Sequence, residues 1–189
     1  MGKTSIAAVL LLAGLALAGG SAAAQEAKGS TYTKIPTVKG TETLKAGAVA
    51  PDFTLRDLEN REFRLKDAAG KDAVLLFFWS FFCGPCREEL PLINQMTRDF
   101  RGKGLRVLGV NLDGPEMKKA IDKFVASEKI EFRIVFDELS GDAFLVADPY
   151  GVAGTPALFL IDRKGVITFS AVGAVADEKL RKELESATK

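Results

Sequence analysis

Histidine is absent from the whole 189-residue chain. That excludes imidazole acid–base catalysis, haem held by a histidine, and most zinc and copper sites, which draw on imidazole nitrogen. Surplus charge is missing too: 26 Lys and Arg stand against 25 Asp and Glu, so no basic field exists to hold nucleic acid. Cysteine is down to two residues, and they stand together in Cys83-Gly84-Pro85-Cys86. No internal repeat is visible. What remains is 47% apolar and long enough for one ordinary domain with extensions.

The first 24 residues match a secretory signal. Lys3 supplies the positive end, residues 6–18 the apolar stretch, and Ala22-Ala23-Ala24 the small-residue cleavage site, so Gln25 is the expected mature start. An uncleaved membrane anchor is the alternative, but the apolar run is short for a span of ~20 residues. No cysteine precedes Cys83, which excludes a lipid anchor on an N-terminal cysteine. Export would place the cysteine pair in an oxidising compartment, where disulfides persist. Residues 25–48 are polar, rich in Lys and Thr and without a period, and read as a tether that Tyr32 and Ile35 partly order.

From Val49 the pattern becomes structured. Residues 52–55 and 61–65 alternate apolar and polar side chains around Asp57-Leu58-Glu59-Asn60, which predicts a β-hairpin. The continuous apolar run Ala73–Trp79 predicts a strand buried on both faces, with a helix over 86–100 after it. A strand over 105–111 follows, then an amphipathic helix over 115–129 carrying Met117, Ile121, Phe124 and Val125 on one side. A short strand is expected at 133–136 and a short helix within 140–150. Strands at 157–161 and 166–172 flank the turn Asp162-Arg163-Lys164-Gly165, and a helix over 176–187 closes the chain. This order predicts a mixed sheet covered by helices.

A C-x-x-C pair alone has several uses. Zinc needs about two further Cys or His ligands, which the chain lacks, so no metal site is expected. A purely structural disulfide would close a loop too small to remove much unfolded-state entropy. A redox pair fits the placement better. The pair follows a strand and opens a helix, whose unpaired N–H groups stabilise a thiolate, and the second thiol is near enough to resolve a mixed disulfide.

Phe78-Trp79-Ser80-Phe81-Phe82-Cys83-Gly84-Pro85-Cys86-Arg87-Glu88-Glu89-Leu90-Pro91 resembles the active site of the TlpA/ResA-like branch of the thioredoxin superfamily. So do Ala50-Pro51-Asp52-Phe53-Thr54-Leu55 upstream and Gly154-Thr155-Pro156 with the apolar run after it. The likeness runs from Val49 to the C-terminus. After the signal read at 1–24 and the flexible segment at 25–48, it implies a thioredoxin-like domain at 49–189. The fold it implies is α/β: a mixed central sheet with helices on both faces and an N-terminal β-hairpin extension. It further implies an exported, periplasmic thiol–disulfide oxidoreductase without a cofactor. Such proteins reduce protein disulfides, often in cytochrome c maturation, with electrons from a membrane thiol reductant of the DsbD/CcdA kind. The Gly-Pro spacer is also that of reducing thioredoxins. Alternatives are a peroxiredoxin-like thiol peroxidase, which shares the Pro-Asp-Phe-Thr-Leu opening, and a metal-site thiol reductant or chaperone.

In that resemblance Cys83 is the exposed nucleophile and Cys86 the buried resolving thiol. Helical spacing puts Glu89 on the flank of the Cys86 face and turns Glu88 away. Spacing alone leaves Glu89 open between a solvated carboxylate and a functional one. The resemblance implies a buried acid that exchanges a proton with the resolving thiol. Thr155-Pro156 resembles a cis-proline loop facing the dithiol, which would pair with an extended substrate. Trp79 is expected to pack beneath the site, with partner contact as its second reading. The chain departs from thioredoxins at Phe77, where they bury an Asp, and at Phe82, where they carry Trp. Pro91 lies inside the predicted helix, where a kink is expected.

Overall fold

The computed structural model describes residues 42–189. The expected signal, its cleavage site, and Tyr32 and Ile35 lie outside the described residues. Nine strands and three α-helices follow in the order β1 (Thr54–Asp57), β2 (Glu62–Arg64), β3 (Ala73–Trp79), α1 (Gly84–Asp99), β4 (Leu105–Asn111), α2 (Lys118–Ser127), β5 (Arg133–Phe136), β6 (Leu139–Ser140), β7 (Ala143–Phe144), β8 (Ala157–Ile161), β9 (Ile167–Val172) and α3 (Asp177–Ala187). Short 3-10 turns at Leu65–Asp67 and Pro115–Met117 complete the set.

Seven strands form one mixed sheet in the order β2-β1-β5-β4-β3-β8-β9. β3 pairs parallel with β4, and β4 with β5, while β8 and β9 run antiparallel beside β3. Every residue of β3 is buried, because strands cover both its edges and side chains cover both its faces. The predicted hairpin is β1–β2. It is joined to the main sheet, since Arg56 and Asp57 pair with Phe136 and Val135 of β5. Buried Asp57 fastens that seam by accepting from the Nε of both Arg61 and Arg133, 2.9 and 2.8 Å away.

The sheet divides the core in two. On one face Leu75, Phe77 and Trp79 of β3 meet Cys86, Leu90, Ile93 and Met96 of α1, Ile121 and Phe124 of α2, and Leu180 and Leu184 of α3. All three α-helices therefore bury their apolar stripes on this side. On the other face Val74, Leu76 and Phe78 meet Phe53, Leu65, Ala68, Val146, Tyr150 and Phe159. That side is covered by a 3-10 turn and loops, where an α-helix was expected.

The helix expected within 140–150 is not formed. β6 and β7 pair across Gly141-Asp142, with Gly141 at φ 66°, and turns follow to Gly151. Two buried carboxylates account for this. Asp137 accepts the N–H groups of Glu138, Val146 and Ala147, and Asp148 accepts that of Phe144. Those donors are thereby withdrawn from helical bonding.

The chain before Val49 is also held. Leu44 donates its N–H to the Tyr150 carbonyl (3.1 Å), Gly47 to that of Ile167 (2.8 Å), and the Thr43 hydroxyl donates to Gly151 O (2.7 Å). Gly151 sits at φ 66°, and a Cβ there would collide with the Glu42 backbone. Among the described residues no helix is long and apolar enough to cross a membrane.

Candidate active site

β3 delivers the chain to the C-terminal edge of the sheet, where Ser80–Phe82 turn it into α1. Cys83 is the N-cap of that helix, in extended backbone (φ −84°, ψ 104°), and Pro85 stands in the first turn, where a missing N–H costs nothing. Cys83 and Cys86 are joined by a disulfide, with Cα atoms 5.3 Å apart. Cys83 Sγ also accepts the Cys86 N–H at 3.2 Å. A free thiolate in that place would receive the same donor and the positive end of a 16-residue helix.

The two sulfurs are unequal. Cys86 is wholly enclosed, whereas Cys83 keeps 6% of its surface. Cys83 is thus less open than the sequence suggests, because the Thr155–Pro156 loop lies over it: Thr155 O is 3.5 Å from Cys83 Sγ. The Thr155–Pro156 peptide bond is cis, and Pro156 O accepts the Gly173 N–H at 2.8 Å. Thr155 and Pro156 are themselves buried, and the exposed member of the loop is Ala153.

Glu89 is buried at 5% exposure, one turn past Cys86, and Glu88 is exposed. Glu89 Oε1 accepts the Val175 N–H at 3.0 Å, while Oε2 is buried with no hydrogen-bond partner among the described residues. Burial raises its pKa above the usual carboxylate value, and the Val175 N–H pulls the other way. The loop from Gly173 to Val175 therefore touches both the cis-proline loop and the buried acid.

Trp79 packs beneath the site as first expected and contributes no surface to a partner, which corrects its second reading as a substrate-contacting residue. It is fully buried on the helix side and stacks on Phe124, with ring centroids 5.9 Å apart. Gly109 makes room for it: a Cβ there would press on Ile134, Phe132 and the Trp79 indole nitrogen. Phe82 is the exposed aromatic at the rim (68%), edge-on to Phe81, which is edge-on to Phe124. The Arg87 guanidinium covers the same Phe124 ring at 5.1 Å. α1 runs from Gly84 to Asp99 with Pro91 inside it.

One group at this edge escaped sequence reasoning. Asp113, just past β4, accepts the Ser80 hydroxyl and the Phe81 N–H, each at 2.6 Å. Asn111, fully buried, donates its amide to Asp113 at 2.8 Å. The signal lay in β3 and β4 being parallel neighbours with Trp79 opposite Asn111, a register no local pattern reveals.

A dithiol–disulfide pair at a helix N-terminus, one sulfur shielded beside a buried acid, can take up and return two electrons. The AhpC/TSA family model matches residues 46–170. Thiol-disulfide oxidoreductase ResA of Geobacillus thermodenitrificans is 37% identical over 143 residues, covering 76% of this chain and 78% of that protein. ResA of Geobacillus kaustophilus is 34% identical over 155 residues, covering 82% and 84%. This chain belongs to the ResA-like thiol–disulfide oxidoreductases of the AhpC/TSA family. The ResA-like assignment agrees with solved structures. A putative thiol:disulfide interchange protein DsbE from Chlorobium tepidum superposes with a TM-score of 0.68 at 34% identity, covering 78% of this chain and all of that one. The thioredoxin-like fold and the enzyme class expected from the resemblance both hold.

Proposed function

We propose that this ResA-like protein is an exported reductase of protein disulfides in which Cys83 attacks, Cys86 resolves and Glu89 handles the resolving proton. The observation that carries this reading is the asymmetry of the pair: Cys83 retains an open edge, and Cys86 is sealed beside a carboxylate whose second oxygen is unsatisfied. In the reduced enzyme the Cys83 thiolate attacks one sulfur of a client disulfide. The client S–S bond breaks, a mixed disulfide forms, and the departing client sulfur takes a proton from water. Cys86 then gives its proton to the Glu89 carboxylate, and its sulfur attacks Cys83 Sγ. The second client sulfur leaves and is protonated. Two electrons have passed to the client, and the Cys83–Cys86 disulfide remains.

The Thr155–Pro156 loop is the proposed docking edge for an extended client segment, through backbone pairing. Return to the dithiol is assigned to a membrane thiol reductant of the DsbD/CcdA kind, as export through the N-terminal signal requires an outside supply of electrons. The Gly-Pro spacer favours the reducing direction, and cytochrome c maturation is the client pathway this reading favours. The domain boundary at Val49 is kept as the start of the catalytic body, with residues 42–48 its strap.

The AhpC/TSA match keeps a thiol peroxidase as the second reading. Cysteines three residues apart argue for disulfide exchange, and peroxide consumption with turnover of both thiols would reverse that. The main test is Cys86→Ala in the exported protein. A client should remain covalently attached through Cys83 and be identified by mass spectrometry. Absence of any mixed disulfide, with Cys83 reduced and free, would count against the reductase reading.

A further inference from the structure

The turn that carries the attacking sulfur is not held by its own backbone alone. Between the end of β3 and the start of α1, three successive N–H groups must find acceptors near the sheet edge. Phe81 N–H donates to Asp113 Oδ2 at 2.6 Å, Phe82 N–H to Ser80 Oγ at 3.1 Å, and Cys83 N–H to Ser80 O at 3.1 Å. The Ser80 hydroxyl in turn donates to Asp113 Oδ1 at 2.6 Å. Two of the three donors thus depend on one carboxylate, directly or through the Ser80 hydroxyl.

Asp113 is itself fixed from the neighbouring strand. Asn111 Nδ2 donates to Asp113 Oδ2 at 2.8 Å, and the Asp113 N–H donates to Asn111 Oδ1 at 3.0 Å. Leu112 N–H donates to Trp79 O at 3.0 Å, closing the link between the two strand ends. Asn111 is completely buried, so the whole assembly is referenced to the rigid centre of the sheet. Both Asp113 oxygens are engaged, and both reach the turn before Cys83.

From this geometry we infer that Asp113, relayed by Ser80, is a positioning residue for the Cys83 nucleophile. It holds the turn so that Sγ faces Thr155 O and lies in line with a sulfur presented at that loop. The inference rests on the reading of Cys83 as the attacking sulfur. In-line attack along an S–S axis is sensitive to small displacements, and a misplacement of about 1 Å can cost about a hundredfold in rate.

The test uses reduced protein carrying Asp113→Ala, Asp113→Asn or Ser80→Ala. The rate of insulin disulfide reduction is read for each, corrected for the folded fraction by thermal melts. Asp113→Ala is expected to lose roughly tenfold or more in disulfide reduction, and Ser80→Ala several-fold, from misplacement of the sulfur. Asp113→Asn should recover most of that rate, since its amide oxygen still accepts the Phe81 N–H. A wild-type rate in folded Ser80→Ala would overturn the inference even if Asp113→Ala does not fold, and so would a folded Asp113→Asn that recovers none of the rate Asp113→Ala loses. Melting temperatures that fall with no change per folded molecule would do the same. Failure of the wild type to reduce insulin would instead strike the reductase reading.

Discussion

Glu89 and Asp137 are both buried carboxylates whose pKa is raised chiefly by burial, yet the two corners of the molecule use them differently. Asp137 stands at the end of β5, pushed up to about 6 by burial, with nearby Asp148 adding to the rise. Its oxygens are occupied by backbone: Glu138 and Val146 donate to Oδ1 at 3.0 and 3.1 Å, and Ala147 to Oδ2 at 2.7 Å. Glu89 accepts one N–H and keeps one oxygen empty, one turn from Cys86. A perturbed carboxylate is therefore not in itself a sign of chemistry. What separates the two is spare hydrogen-bonding capacity next to a reacting atom.

The largest effect should come from the structural member. Asp137→Ala leaves three backbone donors without their acceptor, and each unsatisfied buried group costs about 1–3 kcal/mol. Water entering the cavity recovers part of this, so a loss of about 3 kcal/mol at pH 5 is expected in urea titrations. The sign of its pH dependence follows from the raised pKa. Because the folded value, about 6, lies above the ordinary 3.8, the stability Asp137 contributes is fully present below pH 3.8 and declines as pH rises through 6. The cost of Asp137→Ala should accordingly shrink between pH 5 and 7. Disulfide exchange per folded molecule should not change. A slower exchange would mean the corner communicates with the sulfurs, and the contrast would fail.

The same distinction explains what could be read from the chain in advance. β3, β4, β5 and β8 were legible to the residue, since strands in the centre of a sheet leave short segments dominated by apolar side chains. The redox pair was legible from its place between a strand and a helix, and helical spacing turned Glu88 away from Cys86, but the burial of Glu89 was implied by the resemblance and not by spacing. The segment within 140–150 was misread because its apolar residues suit a helix. Asp137 and Asp148 claim its N–H groups from places that only the folded chain brings close. Trp79 was ambiguous for a related reason: in a run with no polar position, nothing marks which face looks toward the site. Asp113 was invisible, because its partners lie 32 and 33 residues away across a parallel register.

The functional member should show the reverse profile. On the proposed reading, Glu89→Gln removes the acceptor of the Cys86 proton, and general-base contributions of this kind run from about a hundredfold upward. The mixed disulfide with Cys83 should form at a normal rate and resolve about a hundredfold more slowly near neutral pH, seen by quenched-flow trapping. Stability should move the other way. Glu89 too has a raised folded pKa, so its contribution is present at low pH and declines as pH rises through that value. Glu89→Gln should gain on the wild type as pH rises, while the activity deficit persists. Normal resolution in a stable Glu89→Gln protein would reduce Glu89 to the same structural status as Asp137.

The smallest effect, and the sharpest control, belongs to Glu88→Gln. This residue has the same chemistry and lies one step along the same helix, turned by about 100° and exposed to solvent. Its removal takes away a negative charge as near the helix start as that of Glu89. If the field of a carboxylate on α1 were what tunes the thiols, the two Gln variants would shift thiol titration alike. If enclosure beside Cys86 is what matters, Glu88→Gln leaves resolution at the wild-type rate and stability within about 0.5 kcal/mol. Parallel titration of Cys83 and Cys86 in both variants decides between field and contact, because only a proton acceptor walled off from water acts on one sulfur and spares the other.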